Sequence, residues 1–396
     1  MEELIKAYEV LPDVRQEIKV KHKLIDIVII TILATFGNAD EWEDIEIWGN
    51  ENKEWLKNYL TLENGIPSHD TIQRNIGIID TTTINIIFLR WLEEQLKKRG
   101  IELNKSIDEL NEEEKIVAID GKTARGSRNK YKKAVHILTA YMVSNGICLA
   151  QLSTDEKSNE ITAIPDLLDM ISIEGQIVTI DAMGAQKAIA KKIIKDNKAD
   201  YVLGLKGNQK LFARDVADFF DEEEKRKLKE EANKYFDYRE KSHGMIIRYE
   251  CYATEEVNWL TDRNKWEGLK TIAAIEKSMT NIDTGEVITE IRNYICSIEA
   301  NAEKIYKITR GHWNIETSLH WHLDVSFRED NNKTIDRKLV ENMNVIRKIT
   351  LSILKLVEFN KKYSIKKKRY LISCNSEKYI PEILNSLGNK IQKGNK

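Results

Sequence analysis

Two segments of this 396-residue chain read almost alike: Ile116-Val117-Ala118-Ile119-Asp120 and Ile177-Val178-Thr179-Ile180-Asp181. Each is a largely β-branched apolar run that ends in an aspartate. Such a run predicts a strand buried on both faces, with the acid where the strand leaves the core. Side by side, the two strands would bring two carboxylates to one sheet edge, where repulsion raises a pKa or is relieved by a cation. A site built from oxygens alone favours magnesium or manganese. Strand ends also carry aspartate for solubility and turn formation, so the pair alone leaves both readings open.

Two-metal phosphoryl transfer needs a third carboxylate, and the segment Arg310 to Asp324 offers one. There Ile315, Leu319 and Leu323 recur every four residues and predict the core-facing stripe of a helix. His312, Glu316 and His320 form the neighbouring stripe. Glu316 fits as the third oxygen ligand. The histidines then flank the scissile phosphate, orient the carboxylate or pack in the core. A His-Glu-His stripe also suits a transition metal, but no further His or Glu stands at ligand spacing.

The elements that must position these residues follow from periodicity. Residues 1 to about 100 predict helices, with helix-spaced apolar positions in Leu24 to Phe36, Trp42 to Leu60 and Ile84 to Leu96. Between them, Ile66-Pro67-Ser68-His69-Asp70-Thr71-Ile72 places a capping serine before a helix, a pattern open to helix-turn-helix DNA contact as well as to a plain helical domain. Asn104 to Glu114 is a polar, acidic connector. Strands are then expected at Ile116 to Asp120, His136 to Val143 and Cys148 to Ser153, with a turn at Ser144-Asn145-Gly146. A helix over Ile161 to Ile171, the second acid-ended strand, a helix over Ala185 to Asp196 and a strand at Tyr201 to Leu205 complete an α/β order. It matches a ribonuclease H-like mixed sheet flanked by helices.

Lys210 to Lys234 predicts one long charged helix. From about Tyr235 to Ser297 β character returns, with strands at Ile246 to Tyr252, Thr271 to Glu276 and Val287 to Cys296. The domain division expected is an N-terminal helical, DNA-binding domain over 1–100 and a catalytic domain over 101–396, interrupted by a β-rich insertion at about 207–300. Helical pattern resumes at Ala302 and, after a break near Ser326 to Thr334, runs to about Asn360.

Composition bounds the rest. The longest apolar stretch, Leu24 to Phe36, includes Asp26 and is too short to span a bilayer, and the acidic start lacks a signal-peptide pattern, so a cytoplasmic, nucleoid-associated protein is expected. The four cysteines form no CxxC pair, which argues against a zinc ribbon or a disulfide framework. A net charge of -2 is unusual for a protein that merely coats nucleic acid. Yet Lys122, Arg125, Arg128, Lys130, Lys132 and Lys133 form a run free of acids just after the first aspartate. Lys122, Arg125 and Arg128 are candidates to clamp phosphates, whereas Lys361 to Arg369 has the default reading of a solvated charged face. Lys157, Asn159, Lys206 and Asn208 fall in loops after strands, near the expected substrate path. Trp259 and Trp266 either stack on a displaced base or fill the insertion's core.

Six ordered motifs carry a resemblance across nearly the whole chain: Ile66-Pro67-Ser68-His69-Asp70-Thr71; Ala118-Ile119-Asp120-Gly121-Lys122-Thr123; Asp155-Glu156-Lys157-Ser158-Asn159-Glu160-Ile161-Thr162-Ala163-Ile164-Pro165; Thr179-Ile180-Asp181-Ala182-Met183; Leu205-Lys206-Gly207-Asn208-Gln209; and Gly311-His312-Trp313 through Phe327-Arg328-Glu329-Asp330. The sequence resembles the H-repeat-associated group of bacterial insertion-sequence DDE transposases. That resemblance implies a catalytic triad of Asp120, Asp181 and Glu316 holding two magnesium ions, for which manganese may substitute. One ion would activate water and later a DNA 3′-hydroxyl, and the other would stabilise the leaving oxygen. It implies cleavage at the element's ends and joining to target DNA. The partner would be double-stranded DNA, both terminal inverted repeats and target, bound by a homodimer. Related transposases with a β insertion carry Tyr-x2-Arg-x3-Glu-x6-Lys around the glutamate. Here Thr309, His312 and Leu323 take the Tyr, Arg and Lys positions, leaving Arg310 and Arg328 as substitute phosphate contacts. That departure leaves hairpin processing of the ends open. A domesticated, catalytically inactive DNA-binding protein and a nuclease on the same fold are the alternatives.

Overall fold

The computed structural model describes residues 1–387 apart from 17, 19, 99, 101–114, 155–159 and 360. The acidic connector and the candidate residues Lys157 and Asn159 lie outside the described residues. Among those described, helices come first: α1 (Glu2–Tyr8), α2 (Leu24–Phe36), α3 (Trp42–Glu51), α4 (Lys53–Leu56), α5 (His69–Gly77) and α6 (Thr81–Lys98). Strands and helices then alternate as β1 (Ile116–Ala124), β2 (Val135–Met142), β3 (Ile147–Thr154), α7 (Glu160–Asp169), β4 (Ile177–Ile180), α8 (Lys187–Lys195) and β5 (Asp200–Leu205). Helices α9 (Lys210–Phe219) and α10 (Glu222–Glu230) lead to β6 (Tyr235–Ser242), β7 (Met245–Thr254), β8 (Thr271–Asn281) and β9 (Val287–Cys296). The chain returns to helix in α11 (Ala302–Ile315), α12 (Trp321–Val325), α13 (Arg337–Leu356), α14 (Ile365–Cys374) and α15 (Ser376–Ser386).

The twin motifs are neighbours in register. β1 and β4 run parallel, with Ile116 opposite Ile177, Val117 opposite Val178, Ala118 opposite Thr179 and Ile119 opposite Ile180. All eight side chains are buried, as β-branched runs between two helical layers require. β4 ends before Asp181, as expected. β1 does not end at Asp120: it runs on to Ala124 because its other edge stays paired with antiparallel β2, Asp120 opposite Thr139 and Lys122 opposite Ile137. Only the parallel pairing stops at the first acid.

The strands form one nine-stranded sheet in the order β3-β2-β1-β4-β5-β9-β8-β7-β6. Its first five strands, covered by helices, make the ribonuclease H-like mixed sheet. The β-rich insertion extends that sheet, since β9 pairs antiparallel with β5 from Val202 opposite Cys296 to Leu205 opposite Asn293. Two expectations change here. The segment Lys210 to Lys234 is two helices, because the Asp221 side chain accepts the Glu224 N–H at 2.8 Å and starts a new one. The insertion also has a fourth strand, β6, paired with β7 along its length.

One apolar core joins helices from both ends of the chain. Leu4, Ile30, Ile45, Ile76 and Leu92 share it with Ile346, Ile353, Ile372 and Leu384, and with Ala118 and Tyr141 of the sheet. A second core lies on the other face, where Val117 and Ile119 meet Ala163, Ile164, Leu167 and Leu168 of α7. The run Lys361 to Arg369 departs from its reading as a solvated face. Lys368 is buried and donates to the carbonyls of Leu354 and Val357, and Arg369 is wholly buried. The Arg369 guanidinium bonds Asp40 at 2.6 Å and the Thr35 and Ser326 carbonyls, and lies 4.2 Å from the Phe327 ring centre. No helix among the described residues is long and apolar enough to cross a membrane.

Removing one partner of a buried pair leaves the other charge without compensation. Arg369→Met is therefore expected to destabilise the protein by about 3–5 kcal/mol, measured by urea unfolding; a loss below about 1 kcal/mol would show that Asp40 is satisfied by its other neighbours.

Candidate active site

The register of β1 against β4 fixes two of the acids. Past Ile119 and Ile180 the two chains deliver Asp120 and Asp181 at adjacent positions. The Asp120 carboxylate accepts the Gly121 N–H at 2.8 Å, and its other oxygen lies 3.6 Å from His320 Nδ1. Asp181 caps the short 3-10 turn Ala182–Gly184, accepting the N–H groups of Met183 at 3.0 Å and Gly184 at 3.3 Å. Burial pushes the Asp120 pKa up to about 7, and the charges of Asp181, Glu160 and Glu316 add to the rise against the Gly121 bond. The donor set is that of a hard cation: carboxylate oxygens whose mutual repulsion a divalent ion would relieve. Among the described residues no three His, Cys, Asp or Glu side chains form a group that could hold a metal ion.

Glu316 arrives from the other layer. α11 ends at Ile315, and Glu316–His320 forms a π-helical turn before α12. The wider turn changes the phase of the helix. Ile315, Leu319 and Leu323 are buried as their spacing predicts, but the neighbouring stripe divides. His312 and Glu316 line a cavity of about 650 Å³ with Asp181, Lys206 and Arg292. His320 lines a separate cavity with Lys122, Arg125, Arg128 and His136. The π turn is held from behind: Lys355 Nζ donates to the Ser318 carbonyl at 2.7 Å and to the Tyr141 hydroxyl at 2.7 Å. Burial lowers the pKa of His312 to about 4 and that of His320 to about 3, where Lys348 and Lys122 also oppose protonation. Both are neutral at neutral pH, each with one ring nitrogen lacking a hydrogen-bond partner among the described residues.

Comparison with known proteins shows the family of the chain. The transposase DDE domain family matches residues 111–353, and the family of domains associated with it matches residues 5–92. The chain belongs to the H-repeat-associated group of DDE transposases. It is 38% identical to the protein named "Putative transposase YncI" of Escherichia coli O157:H7 over 98% of this chain and 95% of that protein. It is 37% identical to "H repeat-associated putative transposase YhhI" of Escherichia coli K12 over 89% of this chain and 90% of the relative. A shorter relative, "Inactive transposase YbfQ" of the same strain, is 47% identical over 19% of this chain and 92% of its own length. A solved piggyBac transposase synaptic complex with hairpin DNA aligns at 10% identity and a TM-score of 0.41, covering 100% of this chain and 83% of the other.

In this DDE transposase the remaining candidate residues fall into different surroundings. Arg125 and Arg128 are exposed at the mouth of the His320 cavity, and Lys206 is exposed beside Asp181. Lys122 is not exposed: its ammonium lies 2.7 Å from Asp324, 2.7 Å from Glu329 and 3.8 Å from Asp330. Against the effect of burial, Lys122 and Arg347 hold the Glu329 carboxyl below its usual range. Arg310 bonds the Tyr249 hydroxyl at 3.0 Å and faces Glu240, which commits it to the β6–β7 hairpin. Arg328, at φ 49°, lies 3.7 Å from Asp40. The Asn208 side chain lies outside the described residues. Of the two tryptophans, Trp266 is buried against Phe212, while Trp259 is partly exposed and stacked on Phe219.

Arg292 was not singled out by sequence, although its guanidinium sits 4.9 Å from the Trp313 ring centre in the cavity beside Asp181. Its only signal is a basic residue at an alternate position of a strand, which many surface strands share.

Lys122 ties β1 to the Asp324–Asp330 segment, and this can be separated from DNA contact. Lys122→Met should lower unfolding stability by about 3–5 kcal/mol without any DNA present; a variant as stable as the parent, defective only in DNA binding, would reverse the assignment.

Proposed function

We propose that the protein cleaves the ends of an insertion sequence and joins them to target DNA, using Asp120, Asp181 and Glu316 as its acid triad. The observation that carries this reading is the parallel register of β1 and β4. It sets two carboxylates side by side under a helix that supplies the third, in a chain of the DDE family. The three acids would hold two magnesium ions, or manganese in their place; when bound, these supply a deprotonated oxygen nucleophile and charge stabilisation at the leaving oxygen. The residues around them divide the remaining work. Neutral His320 beside Asp120 and neutral His312 beside Asp181 offer hydrogen bonds without adding positive charge that would compete with a cation. Arg125 and Arg128 on one side of the acids, and Lys206 with Arg292 on the other, provide cationic walls for two DNA backbones.

The two cavities suit the chemistry, because strand transfer requires a nucleophile strand and a scissile strand to meet at one set of acids. The N-terminal helices of residues 1–100 are proposed to contact the terminal inverted repeats, with a homodimer pairing two ends. The protein would work in the bacterial cytoplasm on nucleoid DNA. The chain's retention of all three acids in their motifs favours an active enzyme over an end-binding protein that has lost chemistry.

Two measurements test the reading. Asp120→Asn, Asp181→Asn and Glu316→Gln should each abolish magnesium-dependent nicking of a fragment carrying the element's ends, while end binding in a gel-shift assay stays near that of the parent. Cleavage that survives Glu316→Gln would remove that acid from the triad. Joined donor-target products distinguish the transposase from a nuclease, and end binding with no cleavage by the parent chain would make it a DNA-binding protein only. Neutralising Arg125 and Arg128 together should make the slope of log K against log salt shallower by about 2, at ~0.9 per phosphate contact; an unchanged slope places the DNA elsewhere.

A further inference from the structure

A buried polar chain runs behind the first acid, and the triad makes no use of it. Thr123 and His136 are cross-strand partners of β1 and β2, and the Thr123 hydroxyl lies 2.9 Å from His136 Nδ1. On the other side of the ring, His136 Nε2 lies 2.5 Å from Glu160 Oε1, with side-chain exposures of 2% for the histidine and 5% for the glutamate. The three groups satisfy one another if the Thr123 hydroxyl donates to Nδ1 and the Nε2–H donates to the Glu160 carboxylate.

The place of this carboxylate is set by a glycine. Val117 and Ile119 pack on α7, so the alternate positions of β1 face that helix and Gly121 continues the row. A Cβ on Gly121 would stand 2.6 Å from Glu160 Oε1 and closer still to His136 Nε2. Only a residue without a side chain lets the pair press against the strand backbone one residue beyond Asp120. A buried carboxylate is costly to keep without a reason, and a hydrophobic residue would fill the space under β1 more cheaply. Glu160 also lies near enough for its charge to act on Asp120.

We propose that Glu160, oriented by His136 and Thr123, is a positioning acid of the catalytic centre that acts through Asp120. It backs the strand that carries Asp120 and adds a fourth negative charge to the group that attracts the divalent ions. This rests on the metal-dependent reading given above. It deepens it by assigning cation affinity to a residue outside the triad.

The test reads metal binding apart from catalysis. Manganese binding to the full chain is titrated by electron paramagnetic resonance, with the magnesium concentration for half-maximal cleavage measured alongside, for the parent, Glu160→Gln and Asp181→Asn. Glu160→Gln keeps shape and hydrogen bonding while removing the charge. It is expected to weaken manganese binding and to raise the magnesium requirement by about 10-fold or more, with end-DNA affinity and unfolding temperature unchanged. Manganese affinity and magnesium requirement like the parent's, beside a clear loss in Asp181→Asn, overturn the role of Glu160 and leave the triad standing. Manganese binding indifferent to Asp181→Asn overturns the metal reading and this inference with it. Should Glu160→Gln fail to fold, Glu160→Asp decides, since it keeps the charge but withdraws it from the strand: weaker manganese binding supports the role and parental binding overturns it.

Discussion

Gathering carboxylates in one place costs free energy, and the architecture around the site is organised to hold them there. Burial first, and then the charges of Asp181, Glu160 and Glu316, raise the Asp120 pKa to about 7. Acids on flexible loops would drift apart and relax. Here two of them leave adjacent parallel strands whose eight flanking side chains are buried, and Glu316 stands on a helix turn pinned by the half-buried Lys355. Main-chain N–H groups of Gly121, Met183 and Gly184 satisfy the aspartates without cations, which leaves their charge available to a ligand.

Buried ion pairs carry the same discipline outward. Lys122 binds the acids of the segment after α12, and Glu329 of that segment is also held by Asn344 at 2.5 Å from α13. Arg369 then ties α14 to Asp40 and to the carbonyls of Thr35 and Ser326. Helices from the start of the chain and from its end are thereby coupled to the strand bearing the first acid. Such pairs add little stability compared with an apolar substitute. Their geometry is directional, so they fix how the helical layer sits on the sheet.

Much of the sheet that carries Asp120 and Asp181 was legible in the sequence because its information is local. The Ile116 and Ile177 runs are β-branched and short, and Ile315, Leu319 and Leu323 repeat at helix spacing. What was not legible depends on distant partners. Nothing within Gly121-Lys122-Thr123-Ala124 reads as strand, yet β2 carries it as one. Lys361 to Arg369 reads as a solvated charge run, and its last residue is buried because Asp40 awaits it more than three hundred residues earlier in the chain. β6, with the sequence Tyr-Phe-Asp-Tyr-Arg-Glu-Lys-Ser, is half-exposed and lacks an apolar alternation, so pairing with β7 alone defines it. The π turn at Glu316 is likewise invisible to a four-residue periodicity, though it decides which histidine meets which aspartate.

The pairing of β9 with β5 has a mechanical consequence. A segment joined by loops could swing, but one hydrogen-bonded through β9 into the sheet that carries Asp120 and Asp181 moves with it. From Asn293, the last residue paired to β5, the β8–β9 hairpin reaches about 20 Å further to Val287, where Val287, Ile288 and Ile291 are exposed. The hairpin is thus an outrigger rather than a hinged lid: whatever rests against its tip is held at a set distance and angle from the acids, and the spacing between the two is written in strand length.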